Sequence, residues 1–324
     1  MKNDKTIPAQ EAFDAFRNSR NIISSTLIPF RGAEGYDVYN PSMPFRLDGS
    51  TWMAGRVESR DGTDSRVFFF EQKISGGSEE YHWREDTPVY VMEDPFVCTV
   101  AGELILGGVE VEWDGSRPVS IVTVFYRGKS LHSMEKFAEG PRNMKDIRLV
   151  ELPDGRIGIF TRPRDLSKLE EWGSIARIGF TTVSSLDGIN GDVITNATLL
   201  GGHFKGFEWG GCNEAVMLRN GLIGVVGHRS WGVVNSYEDM VLHYYGFAFA
   251  LDPKTLECTP SKIIISRDCF PDAPPKREGL EDVTFTSGLI RNPDGTAKVY
   301  TGLSDSAVGM AVIPDPFLEW DVIT

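Results

Sequence analysis

The sequence predicts an all-β fold, a five-bladed β-propeller with a short N-terminal helix, and places residues 1–324 in a single domain. Two observations carry this prediction. After the first helix the chain is a succession of β-branched and aromatic runs divided by Gly, Asp, Asn and Pro, the pattern of strands and turns. Five segments also share one plan of polar opening, apolar strand, Gly-containing turn, second apolar strand and polar cluster: "YNPSMPFRLDGSTWMAGRVES", "MEDPFVCTVAGELILGGVEVE", "NMKDIRLVELPDGRIGIFTRPR", "GGCNEAVMLRNGLIGVVGHRS" and "VTFTSGLIRNPDGTAKVYTGLSDS".

Taken in order, "PAQEAFDAFRNSR" is the one stretch of helical periodicity, with Ala9, Ala12, Phe13 and Phe16 on one face and Glu11 in the first turn. The five repeats follow, with turns expected at Gly49, Gly102, Gly155, Gly221 and Gly295. Their spacing of roughly 50 to 75 residues suits four-stranded blades with insertions. The Gly-bounded segments "GGSEEYHWREDTP" and "GGHFKGFEWGG" read as loops over a channel mouth. "DCFPDAPPKREGLEDV" reads as a long irregular connection that brings Lys276 and Arg277 toward that mouth.

Composition narrows the function. A hydrophobic fraction of 41% is enough for a full core. A formal net charge of −13 argues against nucleic-acid and anionic-membrane partners, which need a basic footprint. No apolar run approaches the roughly 18 to 20 residues that span a bilayer, and the N-terminus lacks a signal-peptide core, so a cytoplasmic location is expected. The four cysteines are scattered without a CxxC pair and are expected as free thiols. The five histidines lack ligand spacing, so neither a metal nor another bound cofactor is expected. Homo-oligomerisation is left open.

In a propeller, matching ends of the inner strands converge on the axis. Polar residues otherwise hard to place then share one cavity: Asn40, Arg56 and Glu58; Glu93 and Asp94; Lys145, Asp146, Arg148 and Arg162; Asn213, Glu214, His228 and Arg229; and Asp305. Each also has a plainer reading. Glu93-Asp94-Pro95 could open a strand from a turn, Arg148 could pair with Asp146, His228 could be a satisfied core histidine, and Asp305 could be an Asx turn residue. Trp209, Trp231, Tyr81 and Trp83 are candidate sugar-stacking platforms.

The motifs "GRVE" (55–58), "EDP" (93–95), "KDIRLVELPDG" (145–155), "GFAFALD" (246–252) and "YTGLSDSAVGMA" (300–311) carry a resemblance. Their order resembles that of the five-bladed propeller phosphorylases and glycosidases of glycoside hydrolase family 130. Within that clan the chain looks most like a relative long catalogued as a domain of unknown function and linked to the β-1,2-mannosyltransferases and phosphorylases of glycosyltransferase family 108. The chain departs from many family 130 members in having Gly227-His228-Arg229 where they have Tyr-His-Gly.

The resemblance implies inverting phosphorolysis of β-mannosides, with β-1,2-linked manno-oligosaccharides the expected substrates, to α-mannose 1-phosphate, with inorganic phosphate as co-substrate. It places the general acid at Asp94, and burial beside Glu93 is expected to raise the pKa of that carboxyl. Arg56, Lys145, Arg148, His228 and Arg229 are the candidates for phosphate. Asn40, Glu93, Asp146, Glu214 and Asp305 are the candidates for the sugar. The partner is thus an oligosaccharide or sugar phosphate. The rival expectations are a GDP-mannose-dependent β-mannosyltransferase, a hydrolase with Glu214 or Glu58 as base, and a non-catalytic carbohydrate-binding propeller.

Overall fold

The computed structural model describes residues 6–115, 117–235 and 240–322. Its strands form antiparallel units that follow one another along the chain. The first unit runs from Tyr36–Tyr39 and Phe45–Leu47 through Ser50–Ser59 and Arg66–Ser75 to Ser78–Trp83, with the two-residue Phe30–Arg31 added in parallel at its edge. The second comprises Glu93–Val100, Glu103–Asp114, Arg117–Gly128 and Glu135–Glu139, and the third Arg148–Glu151, Ile157–Thr161, Gly179–Val183 and Thr198–Leu199.

The remaining strands make one eight-stranded sheet with two antiparallel halves. One half is Trp209–Met217, Ile223–Val234, Met240–Leu251 and Lys262–Ile265. The other is Asp282–Arg291, Thr296–Leu303, Ala307–Pro314 and the N-terminal Ser24–Leu27, which pairs with Ala307–Pro314. A short parallel pairing of His243 and Tyr244 with Asp282 and Val283 joins the halves.

All five repeat glycines lie at the expected hairpins, with φ between +75° and +86°, a conformation that costs a residue without Cβ nothing. Ser78–Trp83 is a strand, contrary to the loop expected there. Gly76 and Gly77, both at positive φ, make a two-residue hairpin between Ser75 and Ser78, the geometry that matches the strand twist. The segments 201–208 and 271–281 are irregular, as expected.

Apolar side chains pack between successive units. Val97, Leu104 and Val124 meet Ala54, Val67 and Phe69, and Phe96, Ile105 and Phe125 meet Leu149, Ile157 and Ile159. Phe160 and Phe180 meet Phe247 and Phe249, while Val226, Ala248 and Ile265 meet Leu289, Val299 and Ala311. Finally Tyr300 and Val308 meet Val38, Met53 and Phe70, returning to the first unit. The buried faces thus leave the opening ends of the leading strands free to hold polar groups at the centre.

Register shifts interrupt three of those leading strands near one level, between Glu93 and Phe96, Cys212 and Glu214, and Thr286 and Gly288. Such bulges re-aim side chains. Two hairpins also outreach their neighbours. Glu93 pairs with Val109 and Trp209 with Ser230, so 110–115, 117–120 and the strand ends around Trp231 and Leu242 project past the start of the leading strands.

The helix Ala9–Ser19 forms where expected and buries Ala9, Ala12 and Phe13. Phe13 stacks on Tyr245 at 4.0 Å between centroids. Phe13→Ala should cost about 3 kcal/mol, the usual scale for emptying a buried aromatic site. A fall in the urea midpoint at unchanged slope would show it.

Candidate active site

Four residues at or near strand ends share an unusual backbone. Asn40, Asp94, Asp146 and Asp305 have φ between +41° and +57°, a region that Asn and Asp tolerate better than other residues with a side chain. All four line one cavity of about 250 Å³, with Arg56, Lys145, Arg162, Arg164, Trp209, His228 and Tyr244. The structure therefore brings together Asn40, Arg56, Asp94, Lys145, Asp146, His228 and Asp305.

Asp94 is fixed through one oxygen. Its Oδ1 accepts from Asn40 Nδ2 at 2.8 Å and from Arg56 Nη1 at 3.0 Å. Burial pushes this carboxyl up, but the Arg56 guanidinium, then Lys145 and the Asn40 hydrogen bond, outweigh it and hold the pKa below the ordinary value. This reverses the sequence expectation: the nearest charges are cations. Asp305 behaves oppositely. It accepts no hydrogen bond from the described residues, and burial raises its pKa against the pull of Arg56.

Arg56 is fully committed. Besides Asp94 it reaches Glu58 at 2.8 Å, Glu93 at 3.3 Å and Ser65 at 3.0 Å, and it lies over the Tyr39 ring. Glu58 in turn is held by Tyr39, Ser65 and Lys276. Lys145 pairs with Glu93 at 2.8 Å. Burial alone would lower its pKa, but Glu93 and Asp94 raise it, so it stays an ammonium group.

On the opposite wall Arg162 pairs with Asp146 at 2.9 Å. Burial favours neutral Asp146, yet Arg162, His228 and Arg148 hold it well below the carboxylate range. Burial pushes His228 down to about 4 despite Asp146, so it is neutral at pH 7. Its Nδ1–H donates to Asn213 Oδ1 at 2.7 Å, the proton being placed by the acceptor. His228 therefore brings a hydrogen-bonding ring to the cavity and no charge.

Other candidates lie elsewhere. Arg229 follows His228 on one strand, and alternation sends it to the other face, where it pairs with Glu208 at 2.6 Å away from the cavity. Arg148, Asn213 and Glu214 line a separate cavity of about 350 Å³ beside Pro95 and Pro41. Arg148 stacks on Phe96 and donates to the Asn213 and Ile147 carbonyls, so the suggested pair with Asp146 does not form. Glu58 and Glu93 stand behind Arg56 and Lys145. Tyr81 and Trp83 pack in the first unit and Trp231 stacks on His243, leaving Trp209 as the predicted aromatic that lines the cavity. Lys276 is engaged with Glu58, and Arg277 is exposed.

Two polar lining residues escaped the sequence reading. Tyr244 donates no recognisable motif but stacks on His228 and accepts from Trp209 Nε1 at 3.1 Å. Arg164 lies over the Trp209 ring at 4.5 Å and has no carboxylate partner among the described residues. Its signal was the spacing in "TRPRD": in extended backbone, residues two apart share a side, so Arg162 and Arg164 project together.

The family model of a protein of unknown function, DUF1861, matches residues 14–319. The chain belongs to that family. No curated protein matches it. Among solved structures it is similar to MPT-4, a mannose phosphorylase from Leishmania mexicana in complex with phosphate ion. Identity is 34% over 97% of this chain and 95% of that one, with a TM-score of 0.88. It is also similar to MPT-1, a GDP-Man-dependent mannosyltransferase from Leishmania mexicana, at 32% identity over 98% and 97% with a TM-score of 0.87. A β-1,2-mannobiose phosphorylase from Listeria innocua shares the fold at 14% identity, 89% and 93% coverage and a TM-score of 0.60.

One titration follows from the second cavity. Burial raises Glu214 from 4.5 to about 8, against a 2.7 Å hydrogen bond from Leu289 N–H. A carboxyl raised on folding contributes stability that is complete below about 4.5 and lost as pH rises through about 8. Across that window the urea midpoint of Glu214→Gln should therefore gain on that of the native protein; a constant difference would contradict this assignment.

Proposed function

We propose that this chain is a five-bladed β-propeller enzyme that transfers mannosyl groups, acting as an inverting β-mannoside phosphorylase. The blade count rests on the successive antiparallel units, two of them four-stranded sheets and two the halves of the eight-stranded sheet, and on the core clusters that link each unit to the next and the last to the first. Mannosyl transfer is supported by the two Leishmania mexicana relatives. The observation that favours phosphate as acceptor is Arg164, a guanidinium on the cavity wall with an aromatic face beneath it and no carboxylate partner among the described residues. Its planar fork suits two oxygens of a phosphate.

In this reading Asp94 is the acid and base. In the degradative direction it gives a proton to the oxygen leaving the anomeric carbon while phosphate attacks from the opposite side. Bond breaking and bond making then yield α-mannose 1-phosphate and a saccharide one unit shorter. Asn40 and Arg56 hold Oδ1 and leave Oδ2 for the substrate. The resting carboxylate is the form needed for synthesis, where it takes the proton of the attacking hydroxyl. For phosphorolysis it must first be protonated, and an incoming phosphate anion favours that by opposing Arg56 and Lys145. Asp305, which accepts no hydrogen bond from the described residues, serves the mannosyl hydroxyls, and Lys145 and Arg162 set the local field.

The relative MPT-1 keeps GDP-mannose as a second donor to consider. The cavity volume of about 250 Å³ lies below the roughly 300 to 1,000 Å³ of pockets for drug-sized ligands, which favours a hexose and phosphate over a sugar nucleotide. Incubation with β-1,2-mannobiose and phosphate should release mannose 1-phosphate. Asp94→Asn should lower kcat by about 100-fold or more, and Arg164→Ala should raise the KM for phosphate by about tenfold or more. Consumption of GDP-mannose with no phosphorolysis of any β-mannoside would replace this reading by the transferase.

A further inference from the structure

A second opening, distinct from the cavity that holds Glu214, shares a wall with the central cavity. It has a volume of about 230 Å³, and its lining includes Thr63, Asp64, Ser65, Val91, Glu93 and Trp113. Glu93 is the wall: its carboxylate lies 2.8 Å from Lys145 and 3.3 Å from Arg56, both of which line the central cavity. Ser65 continues it by accepting from Arg56 Nε at 3.0 Å. One layer of side chains therefore separates the two spaces.

The chemistry of the two linings differs. No cation is among the described residues that line the second opening, and Arg66 nearby is paired with Asp64 at 2.7 Å. A phosphate or nucleotide would find carboxylates there. Trp113 stands on the projecting hairpin and is 41% exposed, and Val91 beside it is 69% exposed. An indole next to hydroxyls and a carboxylate suits a pyranose, whose C–H face packs on the ring while its hydroxyls find acceptors and donors.

We infer that this opening is an outer saccharide subsite, with Trp113 as its platform, that holds a neutral sugar of an oligosaccharide whose cleaved unit sits in the central cavity. The inference rests on the phosphorylase reading and adds to it a preference for chains longer than a disaccharide. Trp113 touches no reacting atom; it positions the distal part of the chain.

The experiment compares β-1,2-mannobiose with the tri- and tetrasaccharide in phosphorolysis by the native protein, Trp113→Ala and Trp113→Phe. In the native protein kcat/KM should rise about tenfold from the disaccharide to a longer chain, the scale of one aromatic contact. Trp113→Ala should abolish that rise through KM and leave the disaccharide rate unchanged, and Trp113→Phe should restore part of it. Equal kcat/KM for all lengths, or a preference that survives in Trp113→Ala, would overturn the subsite. So would a variant whose sole change is oligomeric state by light scattering, which would make Trp113 a contact between copies. If no β-mannoside is phosphorolysed, the function fails separately. The subsite is then judged by quenching of tryptophan fluorescence by β-1,2-mannotetraose, expected in the native protein and lost in Trp113→Phe, with its absence from the native protein counting against the inference.

Discussion

The site is organised around the buried guanidinium of Arg56. It binds Glu58, Glu93 and Asp94 together, and Lys145 and Lys276 complete a set of three cations and three carboxylates from separate parts of the chain. Taking six charges out of water is costly, and the cost is offset only while every partner is in place. The arrangement is therefore of little use as a glue and of much use as a template. It ties the first two strand units and the segment around Lys276 to one geometry and sets the charge state of Asp94.

The backbone bears a related constraint. Of the non-glycine residues with positive φ among the described ones, Asn40, Asp94, Asp146, Ser304 and Asp305 sit at or beside the cavity. Each such conformation costs free energy and persists because its surroundings over-determine it. Here the surroundings are the packed units on either side, whose apolar interfaces hold the polar ends in place. Gly302 shows how tight the fit is, since a Cβ there would sit 2.0 Å from Asn40 Oδ1.

Much of this was legible in the sequence, because turns and alternation are local. The glycine hairpins, the helix around Phe13 and the convergence of Asn40, Asp94, Lys145, Asp146 and Asp305 follow from patterns a few residues long. What was not legible depends on register. A bulge between Cys212 and Glu214 decides which way the side chains after it point, so Glu214 falls into the second cavity, where Arg148 from a neighbouring strand also lies. Nor does the sequence say which cation lies nearest a carboxylate, and for that reason the direction of the Asp94 shift was misread. Arg164 was missed because an exposed arginine beside a proline looks like any other surface charge.

The pairing of Ser24–Leu27 with Ala307–Pro314 has a consequence for how the protein comes into being. The partners are separated by almost the whole chain, and contacts so distant in sequence form slowly because loop closure must come first. A chain emerging from the ribosome holds its first strand unattached until the last are made. Asn40 and Asp305, far apart in the chain, both line the cavity, so its wall is complete only where these distant parts of the chain meet.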